Sequence, residues 1–336
     1  MTISKVSFLG STQANIARLK DMNATMADLQ RQIASTKKYD TLAGFGADAT
    51  NIQRNRSDLG RVQSYLDNIS GLTSRITQMN TAMDSTRDAV MQMIDGITTA
   101  VRDSAADIPS LKVIAQNALD FVQDLANLKV DGRYLFAGSD TASAPFSDEN
   151  TLNNNFQQQV SDWLTGVNST AQLTANVAGF TTADVGMNPG LSAAGQVTMR
   201  IGETTEIDYT VRADTDGFQD IIKALGFMAN MQAPGPGDIP TPADLDDVIQ
   251  NIMDIARGGV EKLDAAATRL GGNFNLLNAV QANHESDLAT LQGLVGKAEN
   301  ADTTDVVTQI QALQTQLQAS YEVTSMVNQL SLINFL

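Results

Sequence analysis

The stretch VDGRYLFAGSDTASAPF, residues 130–146, interrupts a chain otherwise patterned for helix. Tyr134, Leu135 and Phe136 stand together between Gly132 and Gly138, in a protein whose aromatic content is only 5%. Upstream, Leu111, Ile114, Ala118, Phe121, Leu125 and Leu128 recur at helical spacing and predict a helix with that stripe inward. Asp131-Gly132 is a turn pair that closes this helix. Arg133 to Ala137 then read as a strand, with Tyr134 and Phe136 on one face and Leu135 on the other. Pro145 releases the chain into a region of different composition. The break therefore marks an exit from a helical body.

Working outward, both flanks are helical. Ile16, Leu19, Met26, Leu29 and Ile33 lie on one narrow helical stripe, broken by TKKYDTLAGFGADATN at residues 36–51. A longer seam follows: Leu59, Val62, Leu66, Ile69, Ile76, Met79, Met83, Val90, Ile94, Ile97 and Val101. Its length suits a coiled coil, and Pro109 ends or resets it. At the far end Thr241-Pro242-Ala243-Asp244 is a helix start, with Thr as cap and Pro at the first helical position. Val248, Ile252, Ile255, Leu263 and Leu270 continue it, and after an interruption at Gly271-Gly272 the seam resumes with Leu277, His284, Leu288, Leu291 and Val295. Asp302 or Thr303 caps a last helix with Val306, Ile310, Leu313, Leu317, Val327, Leu330 and Ile333.

Residues 146–242 differ. Of the 7 prolines, all but Pro109 lie from Pro145 to Pro242, so no long helix passes through. Gln196–Ile201 and Thr205–Val211 read as a β-hairpin, Gly217–Gln232 as a short helix, and the segment from Ala233 as a linker. The terminal seams are too narrow to be globular cores alone. The fold class expected is mainly α: an antiparallel long-helix coiled-coil rod built from both termini, with a small inserted α+β outer domain at its tip.

Composition narrows the function. The chain of 336 residues carries a formal charge of −16, which argues against nucleic acid. It has no cysteine, which excludes disulfides, thiolate zinc sites and cysteine nucleophiles. No apolar run is long enough for a membrane span, and the first residues show no cleavable signal peptide. Residues 1–38 hold Lys5, Arg18, Lys20, Arg31, Lys37 and Lys38 against Asp21 and Asp28. From Glu299 onward there are Glu299, Asp302, Asp305 and Glu322 and no basic residue. Opposite charge at the two ends suits packing of one on the other.

Catalytic motifs are not found. His284-Glu285 opens like H-E-x-x-H, but Leu288 stands where the second histidine belongs and no other histidine exists. Gly44-Phe-Gly46-Ala-Asp-Ala49 follows no apolar strand, so it reads as a helix break, not a dinucleotide loop. Asp214-Thr-Asp216-Gly217 has its glycine misplaced for a calcium loop. Asp244, Asp246 and Asp247 crowd a helix start, where the dipole favours acids without a metal. Trp163, Tyr209 and Phe218 read as a small domain core. No enzyme activity and no cofactor are expected. Function falls to packing surfaces, and identical partners are the simplest occupants.

The residues above also resemble a family. NLKVDGRYLFAGSDTASAPF is similar to the "N-G-R-Y-L-F-A-G-S … P-F" signature of the flagellin-related hook-associated protein 3 family, with Asp131 at the usual Asn. Ser35-Thr-Lys-Lys-Tyr and Asp48-Ala-Thr-Asn resemble its "S-T-G-K-R … D-D-P-A" segment, lacking the glycine, the second Asp and the proline. Arg269-Leu-Gly-Gly-Asn-Phe-Asn-Leu-Leu resembles "R-L-G-x-x-x-N-x-L", and residues 301–321, ADTTDVVTQIQALQTQLQASY, resemble the terminal "D-x-A-E-A-x-T-x-L-x-x-Q-x-x-L-Q-A-S-Y" helix. Ser331-Leu-Ile-Asn-Phe-Leu336 is similar to the tail "S-L-L-D-Y-L".

The resemblance implies an inner terminal coiled-coil domain from 1–45 with 300–336, a helical rod domain with a β-hairpin from 46–145 with 243–299, and an outer mixed α/β domain at 146–242. It implies a structural subunit of the bacterial flagellum at the hook–filament junction, extracellular and exported without a cleaved signal peptide. The assembly interface it implies is Ile16, Leu19, Met26, Leu29, Ile33, Ile310, Leu313, Leu317, Val327, Leu330, Ile333 and Leu336. The rod-exit motif is Gly132, Arg133, Tyr134, Leu135, Phe136 and Gly138. Implied partners are further copies of the chain, hook-associated protein 1 on the hook side, flagellin on the filament side and a flagellar export chaperone, with no nucleic acid and no membrane insertion. The alternative is flagellin itself.

Overall fold

The computed structural model describes residues 2–102, 108–215 and 217–333, and the side chains of 13–99, 108–215 and 217–326. The chain is mainly α. Long helices come from both ends: α1 (Thr2–Ser35), α2 (Ala49–Arg102), α7 (Pro242–Glu299) and α8 (Thr303–Ile333). Between them lie α3 (Ile108–Ala126), α4 (Glu149–Leu164), α5 (Thr170–Ala178) and α6 (Phe218–Asn230). Two antiparallel two-stranded hairpins complete it: β1 (Lys129–Val130) with β2 (Arg133–Tyr134), and β3 (Thr198–Arg200) with β4 (Glu206–Asp208). The chain forms two compact units, Met1–Gln63 with Glu285–Leu336, and Ser64–His284.

In the 64–284 unit one continuous core takes in Ile69, Leu72, Ile76, Met79 and Met83 of α2 and Val248, Ile252, Leu263, Leu270 and Leu277 of α7. At its centre is α6, where Ile221, Ile222, Leu225, Phe227 and Met228 are all fully buried. A helix apolar on every side must be wrapped by others, and α3, α4 and α5 all pack on it. The middle region thus shares its core with the long helices.

Three sequence expectations change. The helix α7 runs unbroken through Gly271-Gly272, because Leu270 and Leu277 on either side are fully buried. That packing outweighs a glycine penalty of about 1 kcal/mol per residue. In α3 the buried face is Leu111, Ala115, Leu119, Val122 and Ala126, whereas Ile114 and Phe121 are 41% and 45% exposed. Two apolar faces compete on this helix, and the one with small alanines seats closely on α6. Thirdly, Asp131-Gly132 does not close α3, which ends at Ala126. With φ of 52° and 75° these two residues form the tight turn of the β1–β2 hairpin. Positive φ at both central residues matches the right-handed strand twist, which is why Asp-Gly suits this place.

Other elements fall as expected. Pro109 sits in the first turn of α3, where its missing N–H costs nothing. Thr241 caps α7: its backbone N–H donates to Asp244 Oδ2 at 2.7 Å, and Asp244 N donates back to Thr241 Oγ1 at 3.3 Å. The β3–β4 register pairs Met199 with Ile207. Helices α4 and α5 lie in the region read from sequence only as mixed.

Candidate functional site

The terminal helices meet within their own unit. Near the joint, Lys37 and Asn300 form an antiparallel bridge, and Ala301 N donates to Thr36 O at 3.0 Å. Farther along, Asn15, Arg18, Leu19 and Met22 of α1 and Ala319, Ser320, Val323 and Thr324 of α8 line one cavity of about 240 Å³. The two helices therefore run antiparallel. Their seam is thin. Leu29, Val306 and Leu317 are buried at 5%, 4% and 9% exposure, and Leu19, Met26, Ile310 and Leu313 are half-buried. Two helices bury only the facing stripe of each, so Ile16 at 60% and Ile33 remain exposed, as do Val307, Tyr321, Val323 and Met326. The predicted side chains Val327, Leu330 and Ile333, and Leu336 altogether, lie outside the described residues.

Among the described residues, the opposite charges of the two ends meet at one point, between Lys37 and Glu299. Glu299 binds Arg56 and Lys37. Asp302 instead caps α8, accepting from Thr304 N at 2.9 Å, and Asp305 accepts from Gln309 Nε2 at 2.8 Å.

The exit segment is heavily tied. Arg133 Nε donates to Thr141 Oγ1 at 3.2 Å, and Lys129 Nζ lies 4.2 Å above the Tyr134 ring. Leu135 N donates to Leu128 O at 3.0 Å, and Ala213 N donates to Phe136 O at 2.9 Å. Leu135, Phe136, Ala137 and Gly138 are all buried, so the two-face alternation expected of a strand fails after Tyr134. The backbone bends there and threads into the core, where the Phe136 ring lies 4.8 Å from that of Phe218. Gly132 and Arg133 stay exposed on the hairpin. Asn127 closes the excursion: its amide nitrogen donates to Phe146 O and its amide oxygen accepts from Phe146 N, both at 2.9 Å.

A second apolar surface escaped the sequence reading. Ile114, Ala118 and Phe121 of α3, with Ser85, Asp88, Ala89, Gln92 and Met93 of α2, line an open groove of about 610 Å³. Its signal was present, since α3 carries more apolar residues than one face can bury.

The residues that resembled catalytic motifs have structural places. His284 stacks on Tyr65 at 5.3 Å, and its Nε2 lies 2.7 Å from Ile201 O, which fixes that nitrogen as the donor. Beside it Asn68 Nδ2 donates to Arg200 O at 3.0 Å, so the two side chains anchor the β3–β4 hairpin. Gly44 and Gly46 lie in a 3₁₀ turn spanning Leu42–Asp48. Trp163, Tyr209 and Phe218 are buried at 1%, 7% and 0% exposure and pack in the core. Among the described residues no three His, Cys, Asp or Glu side chains converge as a metal site. No helix among them is long and apolar enough to cross a membrane.

Comparison with known proteins adds to this geometry. Residues 253–336 match the family model of the bacterial flagellin C-terminal helical region. No curated protein sequence matches the chain. Among solved structures, a Vibrio parahaemolyticus protein described as a flagellar hook-associated protein superposes with a TM-score of 0.52 and 14% identity, covering 76% of this chain and 100% of its own. Bacillus cereus FlgL superposes with a TM-score of 0.50 and 14% identity, covering 73% and 99%. At such identity the likeness is one of fold. The chain is flagellin-like: its residues 253–336 match the flagellin C-terminal helical region, and its fold is one shared with a flagellar hook-associated protein and with FlgL.

Proposed function

We propose that the chain is a structural, non-enzymatic subunit of the bacterial flagellum that forms the hook–filament junction by self-association of its terminal helices. The observation that carries this reading is the α1–α8 pair, whose apolar residues outnumber what two helices can bury. Further copies supply the missing cover, at about 1.5–3 kcal/mol per large side chain removed from water. In this reading 1–45 with 300–336 is the inner layer, 46–145 with 243–299 the rod, and 146–242 the outer domain. Hook-associated protein 1 and flagellin are the neighbours on either side, and a flagellar export chaperone is the partner before export. The exit motif at Gly132–Gly138 and the likeness to FlgL favour the junction over the filament. The second reading, flagellin itself, is favoured by the match at 253–336.

Electron microscopy of flagella carrying labelled protein tests both. Label at one spot where hook meets filament is the expected result, label along the whole filament supports flagellin, and flagella without label overturn both readings. A companion substitution, Leu317→Asp, places a charge in the buried seam. It is expected to remove assembly altogether while the melting of the 64–284 unit stays within about 0.5 kcal/mol of the parent protein, since the sites are independent.

A further inference from the structure

Where α1 gives way to α2 and α7 to α8, two short connections cross. Lys38 N donates to Glu299 O at 2.8 Å, and Ala301 N to Thr36 O at 3.0 Å. Thr36 holds φ at 57°, unusual for a residue other than glycine. Glu299 lies at the centre, its side chain only 6% exposed. Its carboxylate takes Arg56 Nε at 2.5 Å and the Arg56 terminal nitrogen at 2.7 Å, a two-bond fork from α2. Lys37 Nζ approaches from the α1 side at 3.7 Å. Lys38 Nζ donates to Lys297 O and Ala298 O at 2.9 and 3.2 Å, on the last turn of α7. Lys297 is the remaining charge on that turn, and Arg31 on α1 is engaged with Asp28, Asp40 and Lys38 O.

One buried anion therefore serves two cations drawn from two parts of the chain, Arg56 of α2 and Lys37 of the connection after α1, while Lys38 is held by the carbonyls at the end of α7. Those cations also gain from the carbonyl end of α7, but that field reaches only about one turn. If the carboxylate lost its charge, Arg56 and Lys37 would be left close together without the anion between them. We propose that Glu299, Arg56 and Lys37 form an ionic latch: the crossing connections at 36–48 and 300–302 open together when Glu299 is neutralised, releasing the α1–α8 pair from the ends of α2 and α7. The latch does not depend on which flagellar position the chain occupies. The Arg56 hydrogen bonds hold the Glu299 carboxyl below its ordinary range. Its contribution is therefore present above the ordinary range and lost as pH falls through the lowered value.

Amide hydrogen exchange on the full chain reads the latch directly, through protection factors at Lys38 and Ala301 across the joint. In Glu299→Gln at neutral pH both are expected to fall about tenfold, the scale of a lost charged hydrogen bond. Protection of Leu135 and Ala213 in the 64–284 unit is expected to stay unchanged. The parent protein should show the same fall on acidification, and the variant should not. Arg56→Lys keeps the charge but loses the fork, and is expected to give a smaller fall in the same two amides. Unchanged protection at Lys38 and Ala301 in both variants overturns the latch, as does a fall shared equally by Ala213.

Discussion

Gly217→Val is expected to abolish the cooperative unfolding transition of the 64–284 unit. Gly217 precedes α6 with φ of 102°, a conformation barred to a β-branched residue. Space forbids the change as well. A Cβ there would sit 2.3 Å from Gly259 O and 2.9 Å from Leu263 N, both backbone atoms of α7. Gly259 is small for the reciprocal reason, since a Cβ on it would lie 3.0 Å from Gly217 O. Strained backbone and a main-chain clash together put the loss above about 4 kcal/mol, a large part of a domain's stability. Urea unfolding followed by Trp163 fluorescence measures it. A midpoint within experimental error of the parent would show that α6 and α7 can part at this crossing without cost.

Phe136→Ala carries the second large effect. The ring is fully buried against Phe218, and the backbone on both sides is pinned by hydrogen bonds to Leu128 and Ala213. A segment so tied cannot collapse into the space left behind. The expected cost is near the upper end of the range of about 3–5 kcal/mol for Phe→Ala in a core. Chemical denaturation of the same unit checks it, with Phe121→Ala as a control. Phe121 is 45% exposed on the outer face of α3, and its loss is expected to cost under about 1 kcal/mol.

The long helices were legible because their periodic stripes persist over many turns and their ends carry marked residues such as Thr241-Pro242. Helix α4 was missed although Leu152, Phe156, Val160 and Trp163 follow helical spacing. Its run of Asn and Gln hides them, and Asp148, whose side chain accepts from Thr151 N, is an ordinary cap in an otherwise polar stretch. In α5 the Ser169–Gln172 capping box was equally readable. The wrong face of α3 had a different cause. Two stripes of similar strength compete, and only the position of α6 decides between them. The bend after Tyr134 likewise comes from tertiary pairing with Ala213, which no local pattern announces.

The terminal seam was legible in its stripes, and α1 and α8 do pair. What the sequence hid was how little that pairing buries, because burial depends on how many helices gather. Glu299 counted only as part of a charge balance. Its partners stand 243 and 262 positions away, so the latch exists only once the ends have met.

The amide of Asn127 grips Phe146 across 19 positions of sequence. In a protein without cysteine, this pair of hydrogen bonds ties off a loop that other small domains would cross-link covalently. A loop closed this way needs no oxidant to form and no reductant to open. Its refolding rate should therefore be identical in reducing and oxidising buffer, and the same chain can be unravelled and re-formed in any redox compartment.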